Sequence, residues 1–218
     1  MELSLFDVLG PVMIGPSSSH TAGAARLADV ARQIAGDFVR VSFGLYGSFA
    51  RTYRGHGTDR ALVAGVLGLS PQDDRLRCAF EIARERGLEY DFRPVHLEGA
   101  HENTVVMTFF RADGTSVEIE GASLGGGRIR ITRIDDYPAE ITADAPTLVI
   151  LQKDQQGMVS HVTQLLAERN INIAVMRVSR SARGEIACCV IEVDGDLPEG
   201  LVERAAGVPG VLSARAVR

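Results

Sequence analysis

Thr147-Leu148-Val149-Ile150-Leu151-Gln152-Lys153-Asp154-Gln155-Gln156-Gly157-Met158 is an apolar run, a polar turn closed by glycine, and the start of a helix. Val159, Val162, Leu165 and Leu166 then recur at helical spacing, so the pattern predicts a strand followed by an amphipathic helix from Met158 to Arg169. Ile171 to Ser179 and Glu185 to Val193 read as strands around a turn at Ala182-Arg183-Gly184, Pro198 to Ala206 as a helix, and Val211 to Val217 as a last strand. The order β-α-β-β-α-β predicts a ferredoxin-like unit, a four-stranded antiparallel sheet with two helices on one face. Just upstream, residues 135–146 are acidic and carry Pro138 and Pro146, which marks a linker. The chain therefore divides into 1–134, a linker 135–146, and 147–218, and its fold class is α+β.

The first part is punctuated by polar loops. Gly15-Pro16-Ser17-Ser18-Ser19-His20-Thr21 precedes a helical pattern in which Leu27, Val30, Ala31 and Ile34 share one face. The serines thus stand at a helix N-terminus, with Ser18 or Ser19 the expected cap, where unpaired backbone N–H groups favour an anion. Val39 to Tyr46 alternates as a half-buried strand. Arg54-Gly55-His56-Gly57-Thr58-Asp59 follows, with glycines on both sides of a loop histidine and Thr58 or Asp59 placed to cap the next helix. A helix is expected from about Gln72 to Arg86, stopping at Gly87, and a strand over 89–97. Gly99-Ala100-His101-Glu102-Asn103-Thr104 is a further polar loop. Val105 to Arg111 and Ser116 to Glu120 flank Asp113-Gly114, a hairpin signal. Ala122-Ser123-Leu124-Gly125-Gly126-Gly127, ahead of a strand from Arg128 to Ile134, reads as a flexible turn or a backbone nest for an anionic group.

The 218 residues are 45% hydrophobic and 23% charged, as in ordinary globular proteins, and the net charge of −5 argues against nucleic acid or anionic membrane as the main partner. No apolar run approaches the roughly 20 residues of a membrane span, and the acidic N-terminus lacks the basic region of a signal peptide, so a cytoplasmic location is expected. Three cysteines, an odd and low number, fit a reducing compartment. Cys78 falls on a helix, whereas Cys188 and Cys189 are neighbours on a strand and face opposite ways.

Taken in order, Gly15 to Thr21, Gly55-His56-Gly57-Thr58-Asp59, His101-Glu102-Asn103 and Ser123-Leu124-Gly125-Gly126-Gly127 resemble the N-terminal part of iron–sulfur-dependent L-serine dehydratases, and the opening Leu5-Phe6-Asp7-Val8 fits as well. The resemblance covers about residues 3–134. The C-terminal part is similar to an ACT domain, the small amino-acid-sensing module, and the combination resembles the β subunit of the two-chain bacterial enzymes. The resemblance implies elimination of water from L-serine, giving pyruvate and ammonia, with a 4Fe-4S cluster as Lewis acid in place of pyridoxal phosphate. It implies catalytic roles for His56 and His101, imidazole being able to work in either direction near neutrality, with Asp59 or Glu102 orienting a ring. It implies substrate contacts from Ser17, Ser18, Ser19, His20, Thr21, Thr58, Asp59, Asn103, Ser123, Gly125, Gly126 and Gly127. In the ACT-like part, effector contacts are expected from Asp154, Gly157, Met158 and Asn172, and pairing with a second copy of the chain is expected through its sheet.

A cluster needs several thiolates converging on one face, which Cys78, Cys188 and Cys189 do not offer. The cluster is therefore expected on a partner α subunit and not on this chain, which on its own would be inactive. Two alternatives remain at this level. One is a purely regulatory L-serine-binding module, since a related domain in some D-3-phosphoglycerate dehydrogenases binds effector with no chemistry of its own. The other is a metallohydrolase with His20, His56 and His101 as zinc ligands, which their scattered spacing disfavours.

Overall fold

The computed structural model describes residues 17–218; Leu5 to Val8, Gly15 and Pro16 lie outside the described residues. The chain forms two compact units that divide between Thr132 and Arg133.

In the first unit, alternation builds the sheet. Strands β1 (Arg40–Leu45) and β2 (Glu89–Pro94) run parallel, with Phe43 opposite Phe92. Strand β3 (Thr104–Phe110) is antiparallel to β1, and β4 (Ser116–Gly125) to β3. Val41, Phe43, Leu45, Met107, Phe109 and Ile119 are all fully buried or nearly so. They meet helix α1 (Ala24–Ala35), whose Leu27, Val30, Ala31 and Ile34 are buried as the periodicity predicts. Strand β5 (Arg128–Ile134) crosses the division between units, and the sheet order is β2-β1-β3-β4-β5-β6, where β6 is Tyr137–Ile141.

Several local expectations change. Residues 47–56 form a helix, α2 (Gly47–His56), joined through a single left-handed Gly57 to α3 (Thr58–Val66), so His56 ends a helix and is not in a loop. Only Phe49 of α2 is buried, so its sequence carries no apolar stripe for a periodicity reading to detect. The helix expected from Gln72 is a 3₁₀ turn (Asp74–Cys78) followed by a short α4 (Ala79–Glu85), because Asp73 caps the turn by accepting the Arg75 N–H at 2.9 Å. Ala122 to Gly125, expected in a loop, extend β4.

The second unit has strands β7 (Thr147–Lys153), β8 (Ile173–Arg180), β9 (Ile186–Val193) and β10 (Val211–Val217), with helices α5 (Met158–Ala167) and α6 (Leu201–Ala206). The sheet order is β10-β7-β9-β8, with each recorded pair antiparallel, which is the ferredoxin-like arrangement. Leu148, Ile150, Cys189 and Ile191 of the sheet pack with Val162 and Leu166 of α5 and Leu201 of α6. The stretch 135–146 read as a linker holds strand β6. Its Pro138 carbonyl accepts the Ser179 hydroxyl, and Glu140 pairs with Arg177 at 3.3 Å. Proline lacks an N–H, and a position at a sheet edge tolerates it.

Candidate functional site

The centre of the site is His20, which is only 9% exposed. Residues Ser18–Gly23 form a wide π-helical turn ahead of α1, a local irregularity that frequently accompanies function. The cap is Ser17 and not Ser18 or Ser19: its hydroxyl accepts the His20 N–H at 3.2 Å. Ser19 Oγ and Ser17 Oγ also lie 3.1 and 3.4 Å from His20 Nδ1, and Ser48 Oγ lies 3.2 Å from Nε2. The imidazole is therefore engaged at both nitrogens. Burial, and after it the charge of neighbouring His56, lowers the His20 pKa, which favours the neutral ring.

His56 is exposed, and its ring lies 4.8 Å from that of His20, centroid to centroid. The edge of Phe49 closes another side of His20 at 5.3 Å. Thr21 Oγ1 donates to the His56 carbonyl at 3.4 Å and anchors the end of α2. Thr58 and Asp59 open α3, but no side chain caps that helix. Asp59 instead accepts the N–H of Arg60 at 2.8 Å, and burial raises its carboxyl pKa.

The far end of the sequence closes the cluster. Ser123, fully buried, donates its hydroxyl to the Ser19 carbonyl at 2.9 Å, and the Gly126 N–H reaches Ser18 Oγ at 3.4 Å. The Gly127 carbonyl accepts Arg26 Nη1 at 3.1 Å. Gly125, Gly126 and Gly127 turn the chain from β4 into β5, and the one N–H of this turn with a recorded bond to the serine segment is that of Gly126. A Cβ at Gly23 would sit 2.0 Å from Ser123 Oγ, so only glycine lets the two segments meet.

His101 is arranged differently. It is exposed, its Nδ1 accepts the Asn103 N–H at 3.1 Å, and its carbonyl accepts Thr104 Oγ1 at 2.7 Å. It makes no recorded ring contact with His20 or His56. The turn that carries it reaches the pair through Glu102, whose carbonyl accepts the Ser48 N–H at 2.7 Å and whose carboxylate pairs with Arg51. Glu102 therefore orients α2 and not an imidazole. Asn103 reaches the cluster through its carbonyl, which accepts the Ser123 N–H at 3.1 Å. Ser48 carries no motif signal, and sequence reasoning missed it.

Two polar atoms here lack a protein partner. Thr58 Oγ1, in a residue with no exposed surface, and Asn103 Oδ1 are both buried without a hydrogen bond. An unpaired buried polar group costs about 1–3 kcal/mol, and such atoms mark places where something else supplies the bond.

The residues do not suit a metal centre of this chain's own. Among the described residues, no three or more His, Cys, Asp or Glu side chains come together in a way that could hold a metal ion, so His20, His56 and His101 do not form the zinc set weighed above. Cys188 and Cys189 face opposite sides of β9 and are fully buried, and burial pushes their thiols up to about 12 and about 11. The thiolate is the ligating form. Cys78 is exposed in the 3₁₀ turn.

In the second unit, the expected effector residues are largely occupied. Asp154 accepts Arg180 Nη1 at 2.6 Å and the Gly184 N–H at 2.8 Å, which hold its pKa below the usual carboxylate range. Asn172 Nδ2 donates to Asp194 at 2.6 Å. Met158 is 1% exposed, with Gln155 Nε2 3.4 Å from its sulfur, so it is a core residue and not a surface contact. Gly157 takes a left-handed conformation before α5. Gln152, absent from the sequence expectations, is 2% exposed and its Oε1 has no partner.

Comparison with known proteins accords with these two units. The family model described as serine dehydratase beta chain matches residues 4–86, and one described as an AHAS small subunit-like ACT domain matches residues 148–213. The chain is 38% identical to the L-serine dehydratase beta chain of Peptoniphilus asaccharolyticus, over 99% of this chain and 98% of that one. It is also 38% identical to a probable L-serine dehydratase beta chain of Bacillus subtilis, over 96% and 95%. L-serine dehydratase 2 of Escherichia coli is 39% identical over 71% of this chain but only 40% of its own length. No described helix is long and apolar enough to cross a membrane. With near-full-length identity to curated beta chains and an ACT-like second unit, this chain belongs to the serine dehydratase beta chain family.

Proposed function

We propose that this chain is the substrate-side subunit of a 4Fe-4S-dependent L-serine dehydratase whose cluster is carried by a separate α subunit. The observation that carries the reading is the His20–His56 pair with two unpartnered buried polar atoms, Thr58 Oγ1 and Asn103 Oδ1, on the elements beside it. The mismatch between this chain's thiols and cluster ligation supports placing the iron on the partner. So does the coverage of only 40% of the longer Escherichia coli relative.

L-serine brings the groups that these atoms lack. Its ammonium donates to Asn103 Oδ1, an acceptor. Its carboxylate faces the Thr58 hydroxyl and the N-terminal end of α3, where unpaired N–H groups and the helix dipole favour negative charge. Elimination removes the Cα proton and the β-hydroxyl, leaving aminoacrylate, which hydrolyses to pyruvate and ammonia. Both His20 nitrogens are engaged by serines, so the exposed ring of His56 is the group that takes the Cα proton, and His20 forms the wall against which it is set. His101 fixes the turn that presents Asn103. Departure of the hydroxyl falls to the partner chain. In the ACT-like unit, Gln152 Oε1 offers an acceptor to a small effector, and strands β10 and β8 are the sheet edges at which a second copy would pair.

The test is anaerobic co-expression with the partner chain. Pyruvate forms from L-serine only when both chains are present. Pyruvate formation by this chain alone, or none by the assembled pair, overturns the reading. Wild-type turnover after His56→Ala in an intact pair would leave only a regulatory role.

A further inference from the structure

Ser48 stands at a junction that the catalytic reading does not use. It lies in the first turn of α2, and its backbone N–H donates to the Glu102 carbonyl at 2.7 Å. A Cβ on the preceding Gly47, whose φ is +58°, would lie 2.5 Å from that same carbonyl oxygen, so this helix start is seated directly on the His101-Glu102-Asn103 turn. From there the Ser48 hydroxyl meets His20 Nε2 at 3.2 Å. We infer that Ser48 is a positioning residue that fixes the tautomer and orientation of His20, and through it the face offered to His56, while tying the pair to the turn that carries Asn103. The inference rests on the reading of His20 and His56 as part of a serine site, and it deepens that reading.

The hydroxyls around the ring determine where its proton resides. A neutral imidazole has one N–H and one lone pair, while a serine hydroxyl can take either role. On the Nδ1 side, Ser17 Oγ already accepts the His20 backbone N–H, so its own proton is available to Ser19 Oγ, 3.3 Å away, or to the ring. Two hydroxyl protons thus converge on Nδ1, which becomes the acceptor, and Nε2–H donates to Ser48 Oγ. Removing Ser48 leaves that N–H unpaired in a mostly buried ring, and the tautomer no longer has a preferred state. The ring can then rotate about its bond to Cβ, and its contact with His56 at 4.8 Å loosens. A residue that served only to start α2 would act through the Glu102 carbonyl, which Ser48→Ala keeps because that bond uses the backbone.

The experiment compares wild type, Ser48→Ala and Ser48→Thr in two ways. In the isolated chain labelled with 15N-histidine, wild type is expected to show one protonated Nε2 and one unprotonated Nδ1 for His20. Ser48→Ala is expected to move both shifts toward an averaged value, and Ser48→Thr to restore them. In the assembled two-chain enzyme, Ser48→Ala is expected to lower kcat about tenfold, the scale of one lost hydrogen bond, with little change in KM, and threonine to recover it. Unchanged His20 shifts in Ser48→Ala overturn the inference, as does a fall in kcat that threonine fails to rescue. If the wild-type pair itself does not turn over serine, the proposed function fails, while the nitrogen shifts still decide the role of Ser48.

Discussion

The serine–histidine cluster of the first unit and the Asp154 to Met158 turn of the second offer similar residues to a reader: hydroxyls, amides and acids beside glycines at a helix start. The structure separates them. In the turn, the polar groups satisfy one another, Asp154 with Arg180 and Gly184, and Asn172 with Asp194. In the cluster, residues distant in sequence converge on one imidazole, and two buried polar atoms on adjoining elements are left without partners. Polar composition near a helix end is therefore a weak guide. What distinguishes a binding site is polar capacity that remains after internal bonds are counted.

That contrast is broken most directly at His56. His56→Ala in the assembled enzyme is expected to lower kcat by about 10²–10⁴-fold, the range of general acid–base catalysis, while thermal unfolding of the chain is unchanged because the ring is exposed. The same assay on Asp154→Asn, without effector, is expected to match wild type. Comparable losses in both would abolish the distinction between the regions.

Gly23→Ala comes next. Its Cβ would overlap Ser123 Oγ, and that hydroxyl would lose the Ser19 carbonyl. Overpacking of this kind costs about 1–3 kcal/mol, measurable as a lower urea midpoint together with loss of turnover. A wild-type midpoint would show that the serine turn can shift without cost.

His20 sharpens the comparison through pH. Its folded pKa is depressed, so the unfolded chain binds the extra proton first. The stability that its neutral state contributes is fully present above the ordinary histidine value, about 6.5, and is lost as pH falls through the lowered folded value. His20→Asn is expected to flatten the decline in melting temperature between roughly pH 7.5 and 5 relative to wild type. Parallel pH curves would mean that the ring is not held neutral. The smallest effect belongs to Asp154, whose pKa is also depressed. Asp154→Asn is expected to lower the melting temperature slightly near neutrality, and the difference from wild type is expected to vanish below roughly pH 4, as the wild-type carboxyl protonates.

Legibility followed the range of the forces involved. The βαββαβ order could be read because each of its strands and helices announces itself within about ten residues, as the apolar run from Leu148 to Leu151 and the spacing of Val159, Val162 and Leu166 do. Helix α2 could not be read in this way. It has glycine at positions 47 and 55 and one buried apolar side chain, Phe49, and it is held by Glu102, which lies far ahead in the chain. Strand β6 was hidden for a similar reason, since its prolines and acids read as a connector while Ser179 and Arg177 hold it from across the second unit. In the site, local motifs pointed to His20, His56 and the serines. They did not separate His101, which lies outside the ring pair, or reveal Ser48, whose importance comes only from what it faces.

The bonds that join Ser19 to Ser123 and Ser18 to Gly126 span 104 and 108 residues. A growing chain that has emerged only as far as α3 holds the serine motif and both paired histidines, yet has no closed pocket. That pocket appears only after β3 and β4 have zipped together, so it is a late product of folding, and loop closure over such distances is slow. Translation pauses or truncations anywhere before Gly127 would accordingly yield a chain that carries the family's signature but cannot grip its amino acid.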